Sequence, residues 1–478
     1  MPREKQSSSL FDLLSQAPAS GTLWAADASV PLAALARGTS LGGALPALLG
    51  RTVLLAMQHQ LATALALIEL DGVARRLILC PPGLSAPHRR DVAADAGVDA
   101  VVSDGDVGDL ADGAAVMRVA GGSALRAAAA SVVRDQRTEW VMLTSGTSGA
   151  PKLVQHSLAS LTGAIEPSAA PAAPTVWGTF YDIRRFGGLQ ILLRSVLGGA
   201  SLVLSDADES MGAYLGRAGS LGVTHVSGTP SQWRNALAYP ASQAISPRCV
   251  RLSGEIADQA ILDSLHARYP HADVVHAYAS TEAGVGFEVD DRREGFPADM
   301  IRGSDGEVDI KVSDGSLRIR SSRCASRYLG RDAPGLADAD GFVDTGDLVE
   351  RRGDRCFFVG RRDGVINVGG LKVHPEEVEA VINRHPDVRA SLVRSRRNLI
   401  TGSIVIADVV LQAPPEAGAI DRSDDVRREI LTACRRALAN YKVPAAIRFV
   451  AALEVATTGK SVRDPAQHRQ VRQPGVVA

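Results

Sequence analysis

Short apolar runs alternate with helix-like stretches through much of this chain, and this alternation limits the possible folds more than any other feature. In residues 50–105, the runs TVLLAM, RLILC and VDAVV have the length of buried strands. The segments QLATALALIELDGV and HRRDVAADAG lie between them and have helical spacing. Strand–helix–strand repeats are typical of parallel sheets covered by helices. We therefore predict an α/β protein that is built on βαβ units.

The pattern changes twice towards the C-terminus. Residues 303–358 contain short alternating strands such as EVDIKV and SLRIRS, which indicate an antiparallel, barrel-like portion. After GRRDG (360–364), a Gly-Gly hairpin, two helices and several strands indicate a compact α+β unit. We therefore predict an N-terminal domain of residues 1–360 and a small C-terminal domain of residues 361–478.

Charge and cysteine content exclude several classes of protein. The 52 Lys and Arg residues nearly balance the 53 Asp and Glu residues, so neither nucleic acid nor an acidic membrane surface is an expected partner. The five cysteines have no CxxC spacing, which argues against a zinc site or a disulfide framework. The N-terminal segment lacks the apolar region of a signal peptide, and no run of about 18 apolar residues occurs. We expect a cytoplasmic protein without a membrane span.

The segment VMLTSGTSGAPKLVQHS (141–157) places a dense group of Gly, Ser and Thr residues after a buried run. Such a loop between a strand and a helix can offer backbone N–H groups and hydroxyls to phosphate oxygens. It is not a P-loop, because Leu153 follows the lysine where Ser or Thr is required. A flexible surface turn is the alternative. We predict a polyphosphate-binding loop, and its residues are Thr144, Ser145, Gly146, Thr147, Ser148, Gly149 and Lys152.

This loop resembles the ATP-phosphate loop of the adenylate-forming superfamily, which includes acyl- and aryl-CoA synthetases, peptide adenylation domains and luciferases. Further segments resemble motifs of that superfamily in the same order, and they are HAYASTEAG (276–284), FVDTGDL (342–348), GRRDGVINVGGLKVHPEEVE (360–379) and VATTGKSVR (455–463). The resemblance extends from about residue 50 to 465. It implies a large N-terminal domain of βαβ-layered sheets and a small, mobile α+β C-terminal domain.

The segment HAYASTEAG resembles a nucleotide-binding motif, which implies roles for five consecutive residues. Tyr278 would lie against the adenine, Thr281 would contact the α-phosphate, and Glu282 would help to hold Mg²⁺. Ala279 and Ser280 complete the motif, with Ala279 in place of the usual glycine. A hydroxyl suits an oxyanion and a carboxylate suits a hard cation. Taken alone, Glu282 could equally be a solvated carboxylate.

The remaining motifs imply further nucleotide contacts and a domain movement. Asp347 would accept hydrogen bonds from the ribose hydroxyls, and Arg361 would contact the ribose or a phosphate. Lys460 would be the catalytic lysine of the first half-reaction, and Asp363 would be the hinge. Asn367 stands where the superfamily usually has lysine. The turn with Gly254 and Glu255 would lie beside the adenine, and Gly369 and Gly370 would leave room for a pantetheine arm.

The resemblance implies an acid–thiol ligase with two half-reactions. A substrate carboxylate attacks the α-phosphorus of ATP, and a thiol then attacks the acyl-adenylate. Lys460, Glu282 and Thr281 would be the catalytic residues, and ATP, Mg²⁺ and coenzyme A the cofactors. Positioning and charge neutralisation would supply the catalysis, because carboxylates are poor nucleophiles.

The segment FYDIRRFGG departs from the superfamily, because Asp182 stands where many members have histidine. Asp182 either pairs with Arg184 or Arg185, or faces a substrate that has an amine or hydroxyl. We therefore expect a bulky, cyclic or aromatic acid with a polar group, since an unpaired carboxylate is unfavourable beside a fatty chain. The resemblance gives four pocket candidates, which are Trp177, Tyr181, Asp182 and Gly228.

Two other functions stay open at this point. The thiol could belong to a carrier protein instead of coenzyme A. The chain could also be a non-catalytic nucleotide-binding homologue, although such a protein would be expected to lose Lys460, Glu282 or Asp347, and all three are present. A monomer and a homodimer are both compatible with the sequence.

Overall fold

The computed structural model describes residues 9–16, 20–108, 116–127, 132–144, 151–165, 174–301, 307–331, 333–398, 402–412 and 422–453. In chain order the strands are β1 (Thr22–Trp24), β2 (Ser29–Pro31), β3 (Gly38–Thr39), β4 (Thr52–Leu55), β5 (Arg76–Leu79), β6 (Ala100–Ser103), β7 (Met117–Ala120), β8 (Arg126–Ala127), β9 (Glu139–Thr144), β10 (Lys152–Ser157), β11 (Val176–Thr179), β12 (Ser201–Val203), β13 (His225–Gly228), β14 (Cys249–Ser253), β15 (Asp273–Ser280), β16 (Gly284–Val289), β17 (Phe296–Pro297), β18 (Val308–Ser313), β19 (Ser316–Ser321), β20 (Arg327–Leu329), β21 (Val343–Arg352), β22 (Arg355–Arg361), β23 (Ile366–Val368), β24 (Leu371–Val373), β25 (Val388–Asn398), β26 (Gly402–Leu411) and β27 (Ala446–Phe449). The α-helices are α1 (Leu10–Gln16), α2 (Gln60–Leu70), α3 (Ala86–Ala96), α4 (Leu158–Thr162), α5 (Phe186–Leu197), α6 (Met211–Ser220), α7 (Pro230–Leu237), α8 (Gln259–Arg268), α9 (Pro375–Ile382) and α10 (Ser423–Ala437).

Two mostly parallel sheets form the centre of the molecule. One has the strand order β20-β10-β9-β5-β4-β6-β7 and the other β16-β15-β14-β13-β11-β12-β1-β2. Their inner strands pair in parallel, and antiparallel pairs lie at one edge of the first sheet and at both edges of the second. Every residue of β4 is buried, as expected for a strand that is covered on both faces. The α/β prediction is confirmed.

Helices α2 and α5 share one hydrophobic core with strands of both sheets. Every residue of α2 is buried, which explains why apolar residues surround this helix instead of forming a single stripe. Helix α3 is more exposed and ends at Gly97, whose φ of 66° is the left-handed conformation common after a helix. The two sheets and their helices therefore form one layered body.

The strands between residues 296 and 361 pair antiparallel, as predicted for residues 303–358. Strands β17-β22-β21-β19-β18 form an antiparallel sheet with β17 and β18 at its edges. Beyond it, α9 and α10 pack with β25-β26-β27 around a core whose buried members all lie between Ile366 and Ile447. The C-terminal unit thus has a core of its own, beginning shortly after the predicted boundary. Within the described residues, no helix is both long enough and apolar enough to cross a bilayer.

Candidate active site

The predicted phosphate loop connects two antiparallel strands. Thr144 ends β9, Lys152 begins β10, and the two are cross-strand partners. This corrects our expectation that the loop leads directly into a helix. The reason is that residues 153–156 are all buried and pair with β9 on one side and β20 on the other. Ser145, Gly146, Thr147, Ser148 and Gly149 lie outside the described residues.

Tyr328 joins two of the predicted functional residues. The ammonium group of Lys152 lies 5.2 Å from the centroid of the Tyr328 ring, within the range of a cation–π contact. The Tyr328 hydroxyl donates to Oε1 of Glu282 at 3.4 Å. Burial, and then the charge of Glu282, raises the pKa of Tyr328 to about 12, so the phenol stays neutral. Sequence reasoning missed Tyr328, because only the pairing of β20 with β10 brings it here.

His156 contacts the backbone of Thr281, which precedes Glu282 in the segment HAYASTEAG. Its Nε2 lies 2.7 Å from the carbonyl oxygen of Thr281, and its Nδ1 lies 2.9 Å from Oγ of Ser160. A carbonyl only accepts, so Nε2 carries the proton in this contact. Burial lowers the pKa of His156 to about 4. Sequence reasoning missed this residue too, although the polar histidine in the buried run LVQH was a signal.

Tyr278, Asp347 and Arg361 converge at the junction of two sheets. The Tyr278 hydroxyl donates to Oδ2 of Asp347 at 2.6 Å, and Nε of Arg361 lies 3.8 Å from Oδ1 of the same carboxylate. Asp347 and Arg361 are cross-strand partners on β21 and β22. Three residues from three separate motifs therefore meet at the Asp347 carboxylate.

The Tyr278 ring stacks against Phe287 and Phe358, with centroid distances of 5.5 and 5.2 Å. Burial, and then Asp347, raises the pKa of Tyr278. Part of the ring surface that we assigned to the adenine is therefore occupied by protein aromatic rings. The two phenylalanines were not identified from the sequence, because neither lies in a predicted motif.

The turns beside these residues are held by specific hydrogen bonds. Oγ of Ser280, next to Ala279 at the end of β15, accepts from the backbone N–H of Ala283, and this bond closes the turn that contains Thr281 and Glu282. Gly254 has a φ of 83°, which favours glycine. Oε2 of Glu255 accepts from the N–H of Ser231 at 2.9 Å. Glu255 therefore contacts the first turn of α7, where a negative charge is favourable.

Glu282 has the chemistry of a magnesium ligand. Its carboxylate receives one long hydrogen bond from Tyr328, and other lone pairs are available. Magnesium commonly uses one or two protein carboxylates together with substrate phosphates and water. No cluster of three His, Cys, Asp or Glu side chains that could hold a metal by itself occurs in the described part of the chain. The residues present fit an ion that is shared with a nucleotide.

Asp182 is fully engaged with Arg184. Nε and Nη2 of Arg184 donate to the two oxygens of Asp182 at 2.7 and 2.8 Å, and the backbone N–H of Arg184 donates to Oδ1. Nη1 of Arg184 donates to the carbonyls of Met57 and Gln58, which follow β4. The Arg184 side chain is only 3 % exposed. Asp182 is therefore paired with Arg184, which is the first of the two alternatives that the sequence left open, and through Arg184 it connects the segment before α5 to the other sheet.

The other three pocket candidates are also packing residues. The Tyr181 hydroxyl contacts the backbone and side chain of Ser253, and the Trp177 ring packs on His225 at 4.8 Å. A Cβ on Gly228 would lie 2.5 Å from the Phe180 ring. These contacts explain the packing of the three residues, and their place in a substrate pocket stays a prediction.

The cavity nearest these candidates lies between α5 and the ends of β13–β16, and its volume is about 20 Å³. Its lining residues are Phe186, Gly187, Gln190, Ile191, Arg194, Ser227, Arg251, Ser253, Ala277, Ala279 and Val285. This space holds about one water molecule, so an acyl group enters only if side chains move. Ala279 is the one lining residue that the sequence analysis had selected, and it had been assigned to the nucleotide.

Two of the residues that line this cavity, Arg194 and Arg251, contact the carboxylate of Glu288. Arg251 makes a two-bond ion pair with Glu288 at 2.7 and 2.6 Å. Nη2 of Arg194 donates to the carbonyl of Ala164 at 3.1 Å and lies 3.6 Å from Glu288. Burial lowers the pKa of Arg194 to about 10, which still leaves it charged at neutral pH. The group therefore carries a net positive charge.

The hinge and thiol-side residues lie in or near the C-terminal unit. Asp363 is exposed in a 3₁₀ turn, Arg362–Gly364. Gly369 and Gly370 form the exposed tip between β23 and β24, with φ of 59° and 86°, and Cβ atoms added there would touch nothing. Lys460 lies outside the described residues.

Comparison with known proteins places this geometry in a family. The chain is 26% identical over 325 residues to the 2-succinylbenzoate–CoA ligase of Bacillus subtilis, and the match spans 64% of this chain and 64% of that enzyme. The structure resembles the o-succinylbenzoate CoA synthetase of Bacillus subtilis in complex with its acyl-adenylate, with a TM-score of 0.71, 21% identity and coverage of 98% and 99%. An anthranilate CoA ligase in complex with anthranoyl-AMP gives a TM-score of 0.74 at 19% identity, with 98% of both chains covered. At these identities the structural matches show the fold.

Family models decide the classification. The model of the AMP-binding enzyme C-terminal domain matches residues 377–460. The model of the AMP-binding enzyme itself matches residues 51–317, which is more than half of the chain. The resemblance that the motifs indicated is confirmed, and the protein belongs to the AMP-binding enzyme family.

Proposed function

We propose that this protein is an AMP-forming ligase that activates a carboxylic acid as its acyl-adenylate and transfers the acyl group to coenzyme A. The observation that carries the proposal is the convergence of separate motifs. Lys152 and Glu282 meet through Tyr328, and Tyr278 and Arg361 meet at Asp347. Such a set can hold a triphosphate at one end and a ribose at the other.

Each of these side chains has a task that its surroundings support. Asp347 accepts from the ribose hydroxyls, and Tyr278 and Arg361 fix its orientation. Lys152 binds phosphate oxygens, and Thr281 is oriented towards the α-phosphate by the bond from His156 to its carbonyl. Glu282 would hold Mg²⁺, which when bound neutralises phosphate charge. Lys460 is proposed to orient and neutralise the attacked phosphate during the first half-reaction.

We also propose that the acid contains a ring and a second polar group. Small residues at positions 187, 277 and 279 border Phe186 in the cavity beside α5, which favours a flat group once the side chains separate. Arg194 has one hydrogen bond to a described residue, so several of its N–H donors are available for an acceptor on the substrate. The similar ligases named above act on 2-succinylbenzoate and anthranilate, which are acids of this kind.

Exchange of labelled pyrophosphate into ATP across a panel of acids tests both proposals. We expect ring-containing acids with a second polar substituent to give the highest kcat/KM. A value for palmitate equal to or above that of every ring acid would contradict the substrate class. No exchange with any acid, despite binding of ATP, would favour the non-catalytic alternative.

The acceptor and the setting of the protein are further proposals. Thioester formation from purified acyl-adenylate, measured with coenzyme A and with a carrier protein, distinguishes the two thiols, and we expect coenzyme A to be used. The hinge at Asp363 and the two-domain division at about residue 360 would allow Gly369 and Gly370 to approach the site in this step. A cytoplasmic location and a monomeric or homodimeric state complete the proposal.

A further inference from the structure

A larger cavity lies away from the nucleotide residues, between the N-terminal layers and the C-terminal unit. It is a cleft of about 450 Å³, within the size range of small-molecule sites. Helices α7 and α8 form one wall, and the other comprises residues 383–386, Val388, Arg389 and Gln412. Asp387 belongs to the same segment but does not line the cleft, and it lies 3.9 Å from Arg422. None of the motifs in the sequence analysis includes a residue of this cleft.

The charged side chains that line the cleft are four arginines. Arg234 and Arg268 belong to the first wall, and Arg384 and Arg389 belong to the second. His385, also on the second wall, lies 2.9 Å from Glu429. None of its lining residues is Asp or Glu. In a chain whose charges otherwise balance, this is a local excess of positive charge.

Neighbouring acids neutralise only part of this charge. Arg234 pairs with Asp258 at 2.6 Å, and Arg384 lies 3.5 Å from Glu294. Arg268 makes no hydrogen bond or ion pair with any described residue. Arg389 donates only to a backbone carbonyl at 3.5 Å, again among the described residues. One arginine on each wall is therefore available to an anion.

We propose that this cleft binds a phosphate-bearing anion that bridges Arg268 on one wall and Arg389 on the other. The guanidinium group matches phosphate oxygens in geometry and charge better than other side chains do. The proposal rests on the proposed function for its sources, because that reaction releases pyrophosphate and uses coenzyme A, which also carries phosphate groups. Phosphate recognition is the shared chemistry.

The placement of the two arginines has a consequence for the domains. The walls belong to parts with separate cores, and the direct polar contacts across the cleft are few and long, such as Asn383 to Asp258 at 3.4 Å. An anion that contacts both walls binds this arrangement better than one in which the walls are apart. By linkage, such an anion favours the arrangement that the structure shows.

A purely structural role would explain the arginines of only one wall. Arg234 and Arg268 lie in the last turns of α7 and α8, where a cation offsets the helix dipole. Arg389 is on strand β25, where no such effect exists. The test must therefore include both walls.

The experiment compares the full chain with Arg268→Gln and Arg389→Gln, and with Arg90→Gln as the control. Arg90 is exposed on α3, far along the chain from either wall. Calorimetry measures affinity for pyrophosphate, adenosine 3′,5′-bisphosphate and coenzyme A, and hydrogen–deuterium exchange reports protection of residues 260–268 and 383–389. Because pyrophosphate also suits the nucleotide site, the difference between variants isolates the cleft.

We expect each cleft variant to bind at least one of the three ligands about fivefold more weakly. We also expect each to lose the ligand-induced protection of both walls from hydrogen–deuterium exchange, while Arg90→Gln shows neither change. Weaker binding of pyrophosphate identifies the released product as the source of the anion. Weaker binding of only adenosine 3′,5′-bisphosphate and coenzyme A identifies coenzyme A as the source. Unchanged affinity and protection in both cleft variants would overturn the proposal. Pyrophosphate exchange in the unsubstituted chain tests the proposed function separately, so the two ideas can fail independently.

Discussion

Asp182 is a residue whose surroundings decide between two functions that its position left open. Its carboxylate matches Arg184 on both oxygens, and Arg184 in turn holds two carbonyls that follow β4. A charge pair of this kind is costly to break, because the remaining partner stays buried without a counter-charge. We therefore expect Asp182 to contribute to the contact between the two sheets rather than to substrate selection.

Replacement of this carboxylate should lower stability and leave specificity unchanged. We expect Asp182→Asn to reduce the free energy of unfolding by about 3 kcal/mol, as is typical when a buried ion pair loses one member. Asp208→Asn, on an exposed residue, is the control and should change it little. Urea denaturation measures the first effect, and the ranking of acids in pyrophosphate exchange measures the second. A reordered ranking with unchanged stability would return Asp182 to the substrate pocket.

Asp347 is the residue with the most direct predicted contact to the nucleotide. We expect Asp347→Ala to raise the KM for ATP by about tenfold and to change the KM for the acid much less, because the ribose is bound in both the ground state and the transition state. Steady-state kinetics with each substrate varied in turn measure the two values. Asp299→Asn, on an exposed carboxylate elsewhere, serves as the control. A selective change in the acid KM would remove Asp347 from the ribose site.

Strand β10 is the element that connects the halves of the proposed nucleotide site. Lys152 at its start and His156 near its end point to the same face, since strand residues alternate. Through Tyr328 and Thr281, the strand links the phosphate loop to the motif that contains Glu282. A buried histidine within such a strand makes the joint sensitive to acid.

His156 should make stability depend on pH. Burial holds its folded pKa at about 4, below the ordinary value of 6.5, so the folded protein binds fewer protons than the unfolded chain between these values. Stability is therefore complete above pH 6.5 and falls as the pH drops towards 4, by about 3 kcal/mol for this residue. His225 has a similarly lowered pKa and adds to the slope.

Thermal unfolding at a series of pH values measures this effect. We expect His156→Gln to be less stable at pH 7 and to lose less stability on acidification than the unsubstituted chain. The exposed His271→Gln should keep the full slope. Parallel curves for the chain and His156→Gln would show that this imidazole is not the group that titrates.

For the whole molecule, we expect the relation between the C-terminal unit and the N-terminal layers to govern the order of the two proposed half-reactions. The two parts have separate cores, and the exposed turn with Asp363 lies between them. A lysine that reaches the active site in only one arrangement of the two parts would act in only one half-reaction. We propose this role for Lys460.

Lys460→Ala should separate the two steps. We expect it to lower adenylate formation by about 10²–10³-fold, as is typical for the loss of one well-placed charge, and to leave thioester formation from supplied acyl-adenylate nearly unchanged. Single-turnover assays of each half-reaction measure the two rates. Lys442→Ala is a matched control for loss of a lysine in the same unit, because Lys442 pairs with Glu377 away from the nucleotide residues. Equal loss in both steps would contradict the assignment.

The sequence by itself determined the α/β class, the family and the chain positions of Lys152, Glu282, Tyr278 and Asp347. These follow from local periodicity and from motifs, and both are properties of consecutive residues. The change in the pattern of helices and strands near residue 360 was predictable for the same reason, since the C-terminal unit has elements of different length and order.

Only the tertiary structure decided which residues surround those motifs. Tyr328 reaches Glu282 because β20 pairs with β10, more than 150 residues earlier in the chain, and Phe358 reaches Tyr278 through the packing of two sheets. The phosphate loop joins two strands because Leu153 and Val154 are buried between neighbours that come from distant segments. Asp182 and Arg184 are close in the sequence, but Arg184 also donates hydrogen bonds to the carbonyls that follow β4, which belong to a distant segment of the chain. Such long-range pairing and burial leave no periodic signal in a single sequence, so they follow from the packed fold and not from the order of residues alone.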